Sequence, residues 1–306
     1  MSQTDQTLYS RMKTRAIVMQ SIREFFDASG YLEVDTPIRS LHLIPETHVD
    51  PILSEDHFLQ TSPELYMKRL MAKGFDKIFQ ICKCFRKDER GLHHLPELTM
   101  LEWYTVNETY ADLMNQCESL IQFIAMRMGL GHSLPYQKKS INLSSPWQRL
   151  TIKSAFEQYC DMPVDLAIKK NKFDELISHQ IEHKLGHVSP VFLMDYPSSY
   201  ASLAKLLPDD PGYAQRFELY ISGIELANGF TELTDTDEQK KRFKAENRVR
   251  MAHGKSTLPL PEKFLADLKK LPDSAAGIAM GIDRLAMLFS NVSRIDDVVT
   301  FTPEDM

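Results

Sequence analysis

The chain has 306 residues, and its 36 Lys+Arg against 42 Asp+Glu give a formal charge of −6. A hydrophobic fraction of 43% and a charged fraction of 25% exclude a disordered chain, and the acidic balance argues against an extended nucleic-acid surface. No apolar run reaches the roughly 18 residues of a membrane span, and four cysteines are too few for a disulfide scaffold. We therefore expect a cytoplasmic protein with a sizeable core and no membrane partner.

The N-terminal third predicts two helices and three strands. Apolar residues recur at near-helical spacing before Gly30 and alternate with polar residues from there to Pro37. Pro63 followed by Glu64 favours the start of a helix, because proline and an acidic side chain both suit its first turn. The predicted elements are a helix over 10–29, a strand over 31–37, a helix over 65–73, and antiparallel strands over 78–85 and 97–106.

The remainder of the chain mixes helices and strands in the same way. The predicted elements are a helix over 110–130, a helical insertion over about 131–190, strands over 191–195 and 216–230, a solvated helix over 234–251, and a short helix over 282–289. Such an order favours an α+β fold, with antiparallel strands and helices around them. We expect residues 1–306 to form one domain.

Three segments stand out in the sequence, and the second and third of them have features that suit ligand binding. The first, 30–37, is a strand that ends at a proline. The second, 85–104, places Arg86 at the end of a strand, where its planar guanidinium can grip a phosphate. In the third, 277–284, small residues allow a ligand to approach the backbone, and Arg284 follows at the start of a helix.

In this order, the three segments resemble the three motifs of class II aminoacyl-tRNA synthetases. Residues 223–233 (GIELANGFTEL) and 61–70 (TSPELYMKRL) resemble the lysyl-tRNA synthetase subgroup in particular. The first motif begins so early that we expect no anticodon-binding domain before it, and hence no contact with a tRNA anticodon. The chain resembles the free-standing elongation factor P–(R)-β-lysine ligases in length and in the stretches 224–230 and 99–104. The resemblance implies an antiparallel sheet flanked by helices, and a homodimer formed through 11–37.

The resemblance also implies an activity. Such ligases activate (R)-β-lysine with ATP as an aminoacyl-adenylate and transfer it to a lysine ε-amine of elongation factor P, with Mg²⁺ as the cofactor. Catalysis of this kind rests on positioning and on neutralising phosphate charge. No residue of the sequence stands out as the general base that would deprotonate the acceptor amine.

Two arginines are the catalytic residues that the resemblance implies. Arg86 would hold the α-phosphate of ATP and Arg284 the γ-phosphate, whereas a plainer interpretation makes them a surface arginine and an unpaired helix-start arginine. Glu225 and Glu232 would hold Mg²⁺, which requires a bulge near 228–229 because an odd spacing puts them on opposite faces of a regular strand. Solvent-facing strand carboxylates are the alternative. The other implied nucleotide contacts are Lys87, Asp88, His94, Leu95, Leu226 and Gly281.

A diamine substrate needs carboxylates for its ammonium groups and donors for its carboxylate. The matching positions are Ser62, Glu64, Tyr104, Asn228, Glu232 and Ala279. Glu64 has a plainer interpretation as an acid favoured by the helix dipole, and Tyr104 as a core residue.

Three residues depart from what these families usually have. Ala279 replaces the glycine of lysyl-tRNA synthetases, and one methyl group can discriminate a shifted amine by about 1–3 kcal/mol, which favours β-lysine. Leu95 replaces an asparagine, and Leu98 replaces the phenylalanine that stacks on adenine. Loss of that ring would weaken base stacking by about 1–3 kcal/mol.

Other tempting residues are interpreted as structural. Cys82 and Cys84 share one face of a strand without a second cysteine pair, which favours core packing over a zinc site. His179, His183 and His187 have helical spacing but lack the acid of a metalloprotease motif, which favours a solvated face.

Two other functions remain open from the sequence. One is activation of L-lysine for a different acceptor, such as a tRNA or a small molecule. The other is a non-catalytic, synthetase-like regulatory subunit.

Overall fold

An eight-stranded sheet forms the centre of the computed structural model, which describes residues 3–306, with side chains from residue 5 onward. The helices are α1 Gln3–Ala28, α2 Glu64–Met71, α3 Tyr110–Arg127, α4 Ile152–Tyr159, α5 Val164–Lys169, α6 Phe173–Leu176, α7 Thr236–Ala252, α8 Glu262–Leu268 and α9 Ile282–Phe289. The strands are β1 Leu32–Glu33, β2 Arg39–Ser40, β3 Leu53–Ser54, β4 His57–Leu59, β5 Lys77–Phe85, β6 Glu97–Val106, β7 Ser133–Tyr136, β8 Lys139–Asn142, β9 Gln148–Thr151, β10 Val191–Pro197, β11 Tyr213–Ile221, β12 Ile224–Thr231 and β13 Ala275–Gly281.

The strand order of the large sheet is β1-β5-β6-β13-β12-β11-β10-β9. Neighbours from β5 to β10 are antiparallel, and one parallel strand closes each edge, β1 beside β5 and β9 beside β10. The predicted α+β fold, with an antiparallel sheet flanked by helices, is confirmed. None of the helices within residues 3–306 has the length and apolar character needed to cross a membrane.

Alternation along β6 assigns its side chains to two faces. Leu101 and Trp103 point into the larger core cluster with α1, α3 and α9, where Phe26 packs against Trp103 at 5.2 Å between ring centroids. Glu102 and Tyr104 lie on the opposite face, beside α2. Helices α1, α3 and α9 thus pack against one face of the sheet. We term the opposite face, which carries Glu102 and Tyr104, the site face.

Two predicted segments differ from the structure. The segment 216–230, predicted as one strand, is the hairpin β11–β12, because Ser222 and Gly223 both have positive φ and form a tight turn. Strands β7, β8 and β9 occupy the first part of the 131–190 segment, which was predicted to be helical, and helices start only at Ile152. In β7 the buried residues Leu134 and Tyr136 alternate with exposed ones, which is the pattern of a strand with one face in the core.

A buried ion pair connects α1, β6 and α9. Asp283 is 3% exposed; its Oδ1 lies 2.6 Å from Arg15 Nη1, and its Oδ2 accepts a hydrogen bond from the Thr99 backbone N–H at 2.7 Å. The start of α9 is therefore fixed against strand β6, which sets the position of Arg284, the next residue of the same turn.

Replacing Asp283 by alanine should lower the free energy of unfolding by about 1–3 kcal/mol, because it leaves the Thr99 N–H and the Arg15 guanidinium without their partner. Urea denaturation of the purified variant measures this. Asp297→Ala is the matched control, since its ion pair with Arg11 is about one-third exposed and should be worth less than about 1 kcal/mol. Equal effects of the two substitutions would contradict the assignment.

Candidate active site

Two adjoining cavities open on the site face of the sheet. The larger has a volume of about 430 Å³ and the smaller about 110 Å³. Both are lined by Glu46, Arg86, Met100, Asn228 and Ala279. These shared residues mark the place where the two cavities meet, which we term the junction.

The smaller cavity brings together five of the six residues predicted to hold an amino acid. They come from α2 and its approach, β6, β12 and β13: Ser62, Glu64, Tyr104, Asn228 and Ala279. Ser62 Oγ accepts a hydrogen bond from the Glu64 N–H at the start of α2, and this contact fixes the two residues beside each other at the cavity.

Glu102 is the most buried carboxyl that lines the smaller cavity, at 1% exposure. It accepts hydrogen bonds from Ser62 Oγ at 2.5 Å and from Tyr104 OH at 2.7 Å. Burial, together with the nearby charge of Glu64, raises its pKa to about 8. Glu102 was missed from the sequence, although its place two residues before Tyr104 on a strand puts both on one face.

Glu232, the sixth predicted residue, lies beneath the smaller cavity rather than in its lining. Lys68 is 1% exposed, and its Nζ lies 2.5 Å from both Glu232 Oε2 and Glu64 Oε1. A Cβ on Gly277 would lie 2.6 Å from Glu232 Oε1 and 2.2 Å from the Tyr104 ring, so only glycine fits there. The glycine thereby leaves a carboxylate oxygen of Glu232 just behind the cavity wall.

The larger cavity contains Arg284, held from three sides. Its guanidinium donates to the Glu225 carbonyl at 2.7 Å and to the His93 carbonyl at 3.1 Å, and lies 2.6 Å from His94 Nε2. Burial and the Arg284 charge lower the pKa of His94, so a neutral imidazole is favoured beside the arginine. The other predicted nucleotide contacts in this lining are Leu95, Glu225, Leu226 and Gly281, and Leu98 lies among them.

Arg86, by contrast, has only distant partners among the residues that the structure describes. Its Nη1 lies 3.7 Å from Glu89 Oε2, and its Nε lies 3.5 Å from the Thr61 carbonyl oxygen. The guanidinium therefore retains donors for an anion at the junction. The next two residues, Lys87 and Asp88, are exposed and belong to neither cavity lining.

The structure does not bring Glu225 and Glu232 together. The bulge of β12 lies at Leu226, earlier than the predicted 228–229, and the two carboxylates stand at opposite ends of the strand, roughly 20 Å apart along an extended backbone. Glu218, across the hairpin, and Glu182 are acids near Glu225, and burial together with the Glu225 charge raises the pKa of Glu218. The short turn at Ser222–Gly223 pairs Glu225 with Tyr220, and it was the signal that could have placed Glu218 on the neighbouring strand.

The cysteine and histidine clusters form no site. Cys82 Sγ and Cys84 Sγ lie 3.9 Å apart, at the distance of a weak hydrogen bond, and form no disulfide, while His179 and His187 interact with backbone carbonyls of their own segment. Across the part of the chain that the structure describes, no three His, Cys, Asp or Glu side chains are grouped as a metal site would require.

Comparison with known proteins yields consistent matches. A family model described as "tRNA synthetases class II (D, K and N)" matches residues 1–305. The chain is 39% identical to an elongation factor P–(R)-β-lysine ligase from Vibrio atlanticus and 38% identical to one from Vibrio cholerae, over 95% of each chain. A ligase of the same name from Pectobacterium atrosepticum is 36% identical, over 95% of this chain and 94% of the relative.

The raised pKa of Glu102 predicts a pH-dependent stability. In the ligand-free protein this carboxyl stays protonated up to about pH 8, whereas in the unfolded chain it ionises near 4.5. Stability from the neutral group is therefore lost as the pH rises from 5 to 8.5. Thermal unfolding of wild type and Glu102→Gln at both pH values should show wild type losing about 1 kcal/mol or more relative to the variant. A difference that does not change with pH would contradict the assignment.

Proposed function

Because the chain belongs to the class II (D, K and N) tRNA synthetase family, and within it to the elongation factor P–(R)-β-lysine ligases, we propose that it activates (R)-β-lysine with ATP. It then transfers the amino acid from the adenylate to a lysine ε-amine of elongation factor P. The observation that carries the proposal is the pair of adjoining cavities, one with room for a nucleotide and one for an amino acid, which meet at Arg86.

The charges of the smaller cavity suit a diamine acid. Glu64 and Glu102 line the smaller cavity and Glu232 lies just beneath it. Lys68 neutralises one of these three carboxyl groups, which leaves two for the two ammonium groups of a substrate whose charge favours the ionised form of Glu102. Arg86 at the junction matches the substrate carboxylate. Buried charges without such partners would be costly, so the same set disfavours a neutral amino acid.

The larger cavity suits ATP. Arg284 and His94 offer donors to phosphate oxygens, and Leu95 and Leu98 provide an apolar surface for a base. The substrate carboxylate, held by Arg86, attacks the α-phosphorus and pyrophosphate leaves. Arg86 neutralises the charge that develops on the α-phosphate, which is the larger part of such catalysis.

Of the two acids proposed for Mg²⁺, only Glu225 fits. It is 40% exposed and lines the larger cavity, whereas Glu232 is fully buried and paired with Lys68. Glu218, which lines the same cavity, is the better second acid, because Mg²⁺ commonly takes one or two protein carboxylates and fills its sphere with phosphate oxygens. Mg²⁺ bound there would neutralise the triphosphate.

We also propose a homodimer and a cytoplasmic location. The homodimer is supported by apolar side chains left exposed on α1 and the segment after it: Tyr9, Ile17, Leu32, Ile38 and Leu41. The location is supported by the four free cysteines, which suit a reducing compartment.

ATP–pyrophosphate exchange tests the activation step. Purified protein with Mg²⁺ should incorporate labelled pyrophosphate into ATP when (R)-β-lysine is present, and much less when L-lysine is present. No acceptor protein is needed. Preference for L-lysine would indicate the alternative function, in which the enzyme activates L-lysine for a different acceptor. Absence of exchange with either amino acid would indicate a non-catalytic relative and overturn the proposal.

Ala279→Gly should relax the choice of amino acid. Ala279 lines both cavities, and a methyl group on a pocket wall is worth about 1–3 kcal/mol of discrimination. The ratio of kcat/KM for L-lysine to that for (R)-β-lysine, both measured at saturating ATP, should therefore rise at least about 10-fold. An unchanged ratio would show that the methyl group does not select the substrate.

A further inference from the structure

The junction contains a carboxylate for which activation alone has no use. Of the residues that line both cavities, only Arg86 and Glu46 are ionisable. Glu46 is half-buried, and within residues 5–306 its carboxylate has no hydrogen bond and no ion pair. An aminoacyl-adenylate joins the amino acid to the α-phosphate, so its reactive carbonyl carbon must lie where the two cavities meet, beside this carboxylate.

The backbone of Glu46 is fixed independently of its side chain. Arg250, which is 3% exposed, donates to the Glu46 carbonyl at 2.7 Å and to the Val49 carbonyl at 3.1 Å. Glu246 accepts a hydrogen bond from the Thr47 N–H at 2.9 Å. Helix α7 thus holds the loop through main-chain groups, and the Glu46 carboxylate remains available for chemistry.

Transfer of the amino acid needs a base. A lysine ε-amine has an ordinary pKa of about 10.4 and arrives protonated, and an ammonium group is not a nucleophile. We propose that Glu46 is the general base of the transfer step, taking the proton from the acceptor amine at the junction. This inference rests on the proposed function and concerns only its second half-reaction.

The step balances as follows. Glu46 accepts one proton from the ammonium, and the freed lone pair forms an N–C bond to the adenylate carbonyl. The tetrahedral adduct collapses with cleavage of the bond between the carbonyl carbon and the phosphate oxygen, and AMP leaves with that electron pair. The second amine proton goes to the departing phosphate or to water, which leaves a neutral amide.

The charges around Glu46 suit this role. Burial raises its pKa to about 7, an effect opposed by Arg86 just after β5 and Arg216 on β11 and strengthened by Glu64 on α2 and Glu246 on α7. A base is most effective when its pKa lies near the working pH. At neutral pH a substantial fraction of the Glu46 side chains is therefore ionised and able to take a proton.

Glu46→Gln separates the two half-reactions. Single-turnover transfer from preformed β-lysyl-adenylate to elongation factor P should slow by about 100-fold or more, and its pH profile should lose the inflection near 7. The ratio of the transfer rate to the rate of pyrophosphate exchange should fall by at least about 30-fold, because the exchange reaction needs no proton acceptor. Glu46→Asp should retain the inflection at a reduced rate. Glu55→Gln, on a glutamate that is 82% exposed, is the matched control for both assays.

Three results would overturn the assignment. Transfer at the wild-type rate would show that Glu46 takes no proton. A raised KM for (R)-β-lysine in the exchange assay would make Glu46 a ligand of a substrate ammonium instead. Loss of transfer with the pH inflection unchanged would show that another group is the base. Wild-type protein without any exchange would instead refute the proposed function itself, which keeps the two failures distinct.

Discussion

Lys68 sits almost fully buried between two carboxylates, and the amino-acid cavity depends on it. Glu64 and Glu232 lie 2.5 Å from its Nζ, and Glu102 adds a third acid on the same face of the sheet. Carboxylates so deep in a protein are costly unless a cation compensates them. Burial opposes the charge of Lys68, but the two acids beside it raise its pKa and keep it protonated. The cavity can therefore keep enough negative charge to bind a substrate with two ammonium groups, without a large loss of folding stability.

Strand β12 orders the site along its length. Glu225 stands at the phosphate end, Asn228 at the junction, and Glu232 at the far end beside the amino-acid cavity. The bulge at Leu226 shifts the alternation so that these side chains share a face. This segment therefore carries Glu225 at the phosphate end of the site and Glu232 at the end where the substrate amine would bind. The two acids are too far apart to bind one metal ion together, and their separation suits two different contacts with the substrates.

Local patterns predicted much of this architecture, and tertiary pairing explains what they missed. The strand over 97–106 and the helix over 282–289 coincide with β6 and α9, because their alternation and periodicity are uninterrupted. The motif arginines and most pocket residues followed from the resemblance. Lys68 looked like an ordinary helix lysine, since nothing local shows that Glu232 lies above it. Glu46 belongs to a loop without periodicity, and contacts with α7, which is distant in sequence, help to hold it at the junction.

Ala279 shows how this geometry bears on the choice of substrate. It lines both cavities and therefore lies near the carboxyl end of the amino acid, remote from Lys68 and the acids beneath Gly277. In (R)-β-lysine the carbon next to the carboxyl group carries no ammonium, whereas in L-lysine it does. On the proposed function, the alanine methyl takes the space that an α-ammonium would need. Selection then acts where the adenylate forms, because a misplaced carboxylate cannot reach the α-phosphate in line, and a displacement of about 1 Å is enough to slow such a step by about 100-fold.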